Sequence, residues 1–94
     1  MAPGDVTPGR RIWPVRVDED GGEWFRPEDG DYFYDRKNSA WHATTPNGLA
    51  GNLANHDVVE HEDGTITVSP SILVDGSTDG SWHGFLERGV WREV

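Results

Sequence analysis

The sequence predicts an all-β domain, a small antiparallel sandwich or open barrel of about six to eight short strands built from hairpins, with little or no helix. Three observations carry that expectation. Apolar and aromatic residues alternate with polar ones in short runs, Gly, Asp and Pro cluster between the runs, and one segment alone shows helical spacing. At 94 residues the chain fits a single core, so the expected division is a flexible N-terminal arm over 1–9 and one β domain over 10–94.

The arm is expected because Pro3, Gly4, Pro8 and Gly9 leave only Val6 as an anchor. Arg11 to Val17 then alternates, with Arg11, Trp13, Val15 and Val17 on one side, and Pro14 makes this strand an edge or interrupts it. Asp18-Glu19-Asp20-Gly21-Gly22 and Arg26-Pro27-Glu28-Asp29-Gly30 read as turns, leaving Glu23-Trp24-Phe25 as an extended link. Asp31 to Asp35 and Trp41 to Thr44 read as a hairpin with Tyr32 and Tyr34 on one face and Phe33 on the other; Thr45-Pro46-Asn47-Gly48 then turns. The helical spacing lies in Leu49, Ala50, Leu53 and Ala54, where Gly51 weakens it, so one helical turn or an ordered loop is expected there.

In the C-terminal half, His56 to His61 and Thr65 to Ser69 flank Glu62-Asp63-Gly64, a strong hairpin signal. A two-residue turn at Asp63-Gly64 puts Val59 on the inner face, whereas a loop that includes Glu62 puts Val58 there. Both registers bury Ile66 and Val68. Pro70 is expected to end that strand, Ser71 to Val74 to form another, and Asp75 to Gly80 to loop flexibly. Trp82 to Leu86 and Val90 to Val94 flank Glu87-Arg88-Gly89, read as a three-residue loop with Leu86 facing Val90 and Phe85 facing Trp91.

Charge narrows the classes of partner. Asp and Glu outnumber Lys and Arg seventeen to eight, a net charge of −9, and such a field repels phosphate backbones. Direct nucleic-acid binding is therefore not expected, while a basic protein partner, or solubility alone, fits. The absence of cysteine excludes disulfides, thiolate metal sites and cysteine nucleophiles. No run approaches the ~20 apolar residues of a membrane span. With no leader pattern and no glycosylation sequon, a cytoplasmic location without membrane partners is expected.

The chemistry-bearing residues do not form a motif. His56 and His61 are five apart, on opposite faces of a strand, and His42 and His83 have no local partner. The acidic turns at 18–20 and 28–31 lack the ligand spacing of a helix-flanked calcium loop. Gly80-Ser81-Trp82-His83-Gly84 sets Ser near His without the strand-to-helix elbow of a nucleophilic serine. No catalytic residue, metal or cofactor is expected, and the chain reads as a non-enzyme. Trp24, Trp41, Trp82 and Trp91 with Tyr32 and Tyr34 either form an exposed contact platform or make the core of a domain short of aliphatics. Candidate partner-binding residues are Trp24, Tyr32, Tyr34, Trp41 and Trp82, with Glu60, Glu62 and Asp63 as an acidic edge.

The run Asp63-Gly64-Thr65-Ile66-Thr67-Val68-Ser69-Pro70-Ser71-Ile72-Leu73-Val74, followed by Trp82-His83-Gly84-Phe85-Leu86-Glu87-Arg88-Gly89-Val90-Trp91, resembles small uncharacterised proteins of actinobacterial phages and prophages. Gly30-Asp31-Tyr32 and Thr45-Pro46-Asn47-Gly48 are weaker members of the same pattern. Some members of that group place Cys beside the corresponding His; here Trp82 precedes His83, so no thiol chemistry carries over. The resemblance implies a phage origin. With the charge and small size, it leads to the expectation of a phage-encoded protein that binds a host or viral protein through an acidic and aromatic surface. Inhibition of a host nucleic-acid-binding or defence protein in the host cytoplasm is the leading form of that expectation. The alternatives are a virion accessory or capsid or tail decoration protein and a carbohydrate-binding module; self-association into a homo-oligomer is compatible with each reading.

Overall fold

Turns with glycine at positive φ set the hairpins, and the hairpins set the sheets. The computed structural model describes residues 5–76 and 80–94, and over these the chain is all-β, with eleven short strands and no helix. In chain order these are β1 (Val6–Pro8), β2 (Arg10–Arg11), β3 (Arg16–Val17), β4 (Glu23–Trp24), β5 (Asp31–Asp35) and β6 (Ala40–Thr44). They continue as β7 (Ala50–Asn52), β8 (Asp57–Glu60), β9 (Ile66–Asp75), β10 (Ser81–Glu87) and β11 (Val90–Glu93). The count exceeds the expectation because β1, β2, β3, β4 and β7 are two or three residues long, too short for alternation to register in the sequence.

One sheet has the order β1-β11-β10-β9-β8, a second β2-β5-β6-β7, and β3-β4 form a separate ribbon. All neighbours are antiparallel except β2 and β5. The core joins Ile66, Val68, Ile72, Trp82, Leu86 and Trp91 of the first sheet to Tyr32 and Ala43 of the second and to Leu49 and Leu53, which flank β7. Trp91, Tyr32, Ile66 and Leu86 are the most completely buried apolar side chains, and burial of each aliphatic one contributes about 1.5–3 kcal/mol.

Several expectations are corrected by tertiary pairing. Residues 6–8 are a paired edge strand rather than an arm, with Thr7 opposite Trp91; residues 1–4 lie outside the described residues. The edge position accommodates Pro8, which cannot donate to a ladder. Pro14 does interrupt the predicted strand over 11–17, which becomes β2 and β3 in different sheets. The segment expected to make a helical turn is strand β7. Leu49 and Leu53 stand four apart, a spacing that shares one face in a strand as well as in a helix, and both are buried.

β9 runs through Pro70 instead of ending there. Pro70 falls beyond the last β8 pair, Asp57 with Ser69, and where the β9–β10 register shifts between Gly84 and Leu86. A bulge of this kind tolerates the missing N–H. The expected loop over 75–80 lies partly outside the described residues, at 77–79. In the β8–β9 hairpin, Val58 faces Val68, the register with Glu62 in the loop, and Val59 points outward. The last hairpin differs from expectation by one residue. Arg88 and Gly89 both have positive φ, 45° and 77°, making a two-residue turn whose twist matches that of the strands. Glu87 therefore faces Val90, and Leu86 faces Trp91, so both large residues enter the core.

Candidate functional site

Burial divides the predicted contact residues. Tyr32 and Trp82 are 1% and 2% exposed, so they are core residues and leave the predicted surface. Trp82 packs edge-on against Trp91 at 5.2 Å. Tyr34 and Trp41 face each other across β5 and β6, with ring centroids 5.2 Å apart, and are half-buried. Trp24 is 52% exposed.

The predicted acidic edge is brought together at the β8–β9 turn. Glu60, His61, Glu62, Asp63 and Arg88 line a hollow of about 520 Å³. Two of its carboxylates, however, are engaged in holding the fold. Glu60 accepts from Arg11 at 2.7 Å, and the Arg11 guanidinium lies between Trp13 and Trp41, 4.3 and 4.7 Å from the ring centroids. Asp63 Oδ1 accepts from the Thr65 hydroxyl at 2.6 Å and from its backbone N–H at 3.0 Å. The Thr65 hydroxyl holds the Asp63 carboxyl below its ordinary value. Glu62 has no partner among the described residues.

A second acidic site is one that the sequence does not single out as a contact surface. The β3–β4 ribbon folds back on the β5–β6 turn, so that Asp18, Asp20, Glu23, Trp24, Asp35, Lys37 and Asn38 border a hollow of about 270 Å³. Trp24 donates its indole N–H to Asp18 at 2.8 Å, and the Arg16 guanidinium stacks 4.8 Å from its ring centroid. Lys37 pairs with Asp20 at 2.9 Å, and Arg36 N–H donates to Glu23 at 2.9 Å. Hydrogen bonding from Lys37 depresses the Asp20 carboxyl, and Asn38 does the same for Asp35. Arg16 also pairs with Asp18 at 3.2 Å, so four carboxylates stand against two cations, Lys37 and Arg16, and the rim stays negative. The readable signal is the Asp18-Glu19-Asp20 run close before Trp24; its union with Asp35 is tertiary.

Trp13, 58% exposed, is a further exposed ring and, unlike Trp24, lies outside the predicted set. Its ring, Arg11 and Trp41 form a continuous strip towards Glu60. Elsewhere, His83 Nε2 lies 3.0 Å from Ser71 Oγ, a different serine from the nearby Ser81 in sequence. His61 Nε2 contacts Thr67 Oγ1 at 2.6 Å and His56 Nε2 the Ser71 carbonyl at 3.1 Å. Among the described residues no group of three or more His, Asp or Glu is placed to hold a metal ion, and no helix is long and apolar enough to cross a membrane. Comparison of the chain with protein-family models, curated proteins and solved structures gives no match.

Proposed function

We propose that this chain is a phage-encoded, non-enzymatic protein that binds a basic surface of a host protein, and that a nucleic-acid-binding or defence protein in the host cytoplasm is the target. The observation that carries this reading is the exposed Trp24 ring set among Asp18, Asp20, Glu23 and Asp35. A large flat side chain supplies contact area at low entropic cost, and the surrounding carboxylates attract and orient Lys or Arg. The Arg16 guanidinium already stacked on Trp24 exemplifies the geometry a partner's arginine would use. The net charge of −9 favours basic partners over nucleic acid itself. The phage origin rests on the resemblance carried by residues 63–74 and 82–91.

The test is capture of partners from an actinobacterial lysate by the tagged full chain, at low and high salt, alongside Trp24→Ala and Asp18→Lys/Asp20→Lys. A single basic protein, lost at high salt and with both variants, is the expected result. Equal capture by all three chains would overturn the assignment of this surface.

A second reading, a virion accessory protein, is favoured by the exposed apolar residues of the five-stranded sheet, Val6, Val59, Leu73 and Val90. Such a face suits packing against neighbouring subunits. Stoichiometric presence in purified particles would select it.

A further inference from the structure

The edges of the two large sheets are not equally protected. β8 carries Asp57 and Glu60, β1 carries Pro8, and β2 is a pair of arginines followed by Pro14. Charge, proline and short length are the usual means of preventing a further strand from adding, and β1, β2 and β7 are all short. β7, the outer strand of the four-stranded sheet, is Ala50-Gly51-Asn52 and has neither charge nor proline.

Its backbone is also oriented for pairing. Thr45 N–H donates to the Leu49 carbonyl at 2.8 Å and Leu53 N–H to the Trp41 carbonyl at 3.0 Å. With the register of His42 opposite Asn52 and Thr44 opposite Ala50, the antiparallel alternation directs the N–H and C=O groups of Ala50 and Asn52 away from β6. Among the described residues nothing pairs with them.

Beside this edge lies a hollow of about 320 Å³ bordered by Pro27, Phe33, His42, Thr44, Ala50 and Asn52. Two of its lining rings, Phe33 and His42, stack at 5.2 Å, and Phe25, outside the lining, stacks on Phe33 at 3.9 Å. At the start of β7, Asp29 Oδ1 borders the Gly48 turn, and this carboxylate has no ion-pair partner among the described residues.

We propose that the outer edge of β7 accepts an extended peptide of another protein as a fifth strand of the four-stranded sheet. An apolar or aromatic side chain of the peptide enters the hollow over Phe33 and His42, and a basic residue sits beside Asp29. Main-chain hydrogen bonds to Ala50 and Asn52 supply the strand register, and the hollow supplies side-chain selection, as in other strand-addition complexes. The peptide surface shares no bordering residue with the Trp24 hollow, so it stands independently of the proposed function.

The experiment titrates the blocked peptide KTVFVTK into the ¹⁵N-labelled full chain and follows amide shifts and hydrogen exchange. Saturable shifts at Ala50, Asn52 and His42 are expected, with exchange at Ala50 and Asn52 slowed about tenfold. The same peptide N-methylated at alternate residues, on either edge in turn, should bind at least tenfold more weakly for the edge that meets β7. Ala50→Lys, at an exposed position, should weaken binding about tenfold while the remaining spectrum is retained. No saturable shift at millimolar peptide, equal affinity for both N-methylated forms, or shifts unaffected by Ala50→Lys would each overturn the proposal.

Discussion

The indole N–H of Trp91 donates to the carbonyl of Gly30, 61 residues away in the chain, at 3.0 Å. Trp91 belongs to the five-stranded sheet and Gly30 precedes β5 of the four-stranded one, so this bond ties the two layers at their buried centre. Replacing Trp91 with Phe keeps a large ring but leaves the Gly30 carbonyl without this donor. A loss of about 1–3 kcal/mol is expected, more if the smaller ring leaves a void, measured by urea denaturation. An unchanged midpoint would mean that the bond contributes nothing net.

Gly84 is required by close approach. A Cβ there would collide with the Arg92 carbonyl and come within 2.5 Å of the Trp82 ring. Gly84→Ala should therefore destabilise by about 1–3 kcal/mol through overpacking, with displaced tryptophan fluorescence. Ser81→Ala, at an exposed position on the same strand, is the control and should stay within about 0.5 kcal/mol of the parent chain. Equal midpoints for the two variants would show that the backbone at Gly84 has room to relax.

Arg11 unites β2, Trp13, Trp41 and the β8–β9 turn, since it also donates to the Gly64 carbonyl at 3.2 Å. Arg11→Met retains much of the side-chain packing but removes the charge. A cost of about 1–2 kcal/mol is expected from the lost ring and hydrogen-bond contacts. Glu60→Gln should cost less, about 0.5 kcal/mol, because that carboxylate is largely solvated. A larger effect for Glu60→Gln would reverse the assignment.

Burial pushes the Tyr32 phenol above its ordinary value of 10.0. The unfolded chain therefore releases this proton at lower pH than the folded one. The resulting stability is fully present below pH 10.0 and is lost as pH rises through the higher folded value. Urea midpoints measured between about pH 8 and 11 should fall at the alkaline end, and the part due to this residue should vanish in Tyr32→Phe. The same alkaline slope in both chains would assign the effect to other groups.

Local chemistry made several features legible. Alternation and turn residues indicated an all-β chain, and the Asp31–Asp35 with Trp41–Thr44 hairpin forms with Tyr32 opposite Ala43 and Tyr34 opposite Trp41. Ile66 and Val68 are buried under either register considered. For the candidate surface, Trp24 was legible as an exposed-ring candidate, but its neighbour Asp35 was not, because the ribbon and the β5–β6 turn meet only in three dimensions.

By itself, the sequence determined the strand class, the acidic balance and the positions of most turns, since these follow from residue type and spacing within a few neighbours. Tertiary structure alone decided which rings are buried and which are available. Trp24 and Trp82 have the same side chain, yet one is exposed and the other lies in the core. Which face of a strand meets the opposing sheet depends on register, and a one-residue shift, as at Arg88-Gly89, exchanges the two faces.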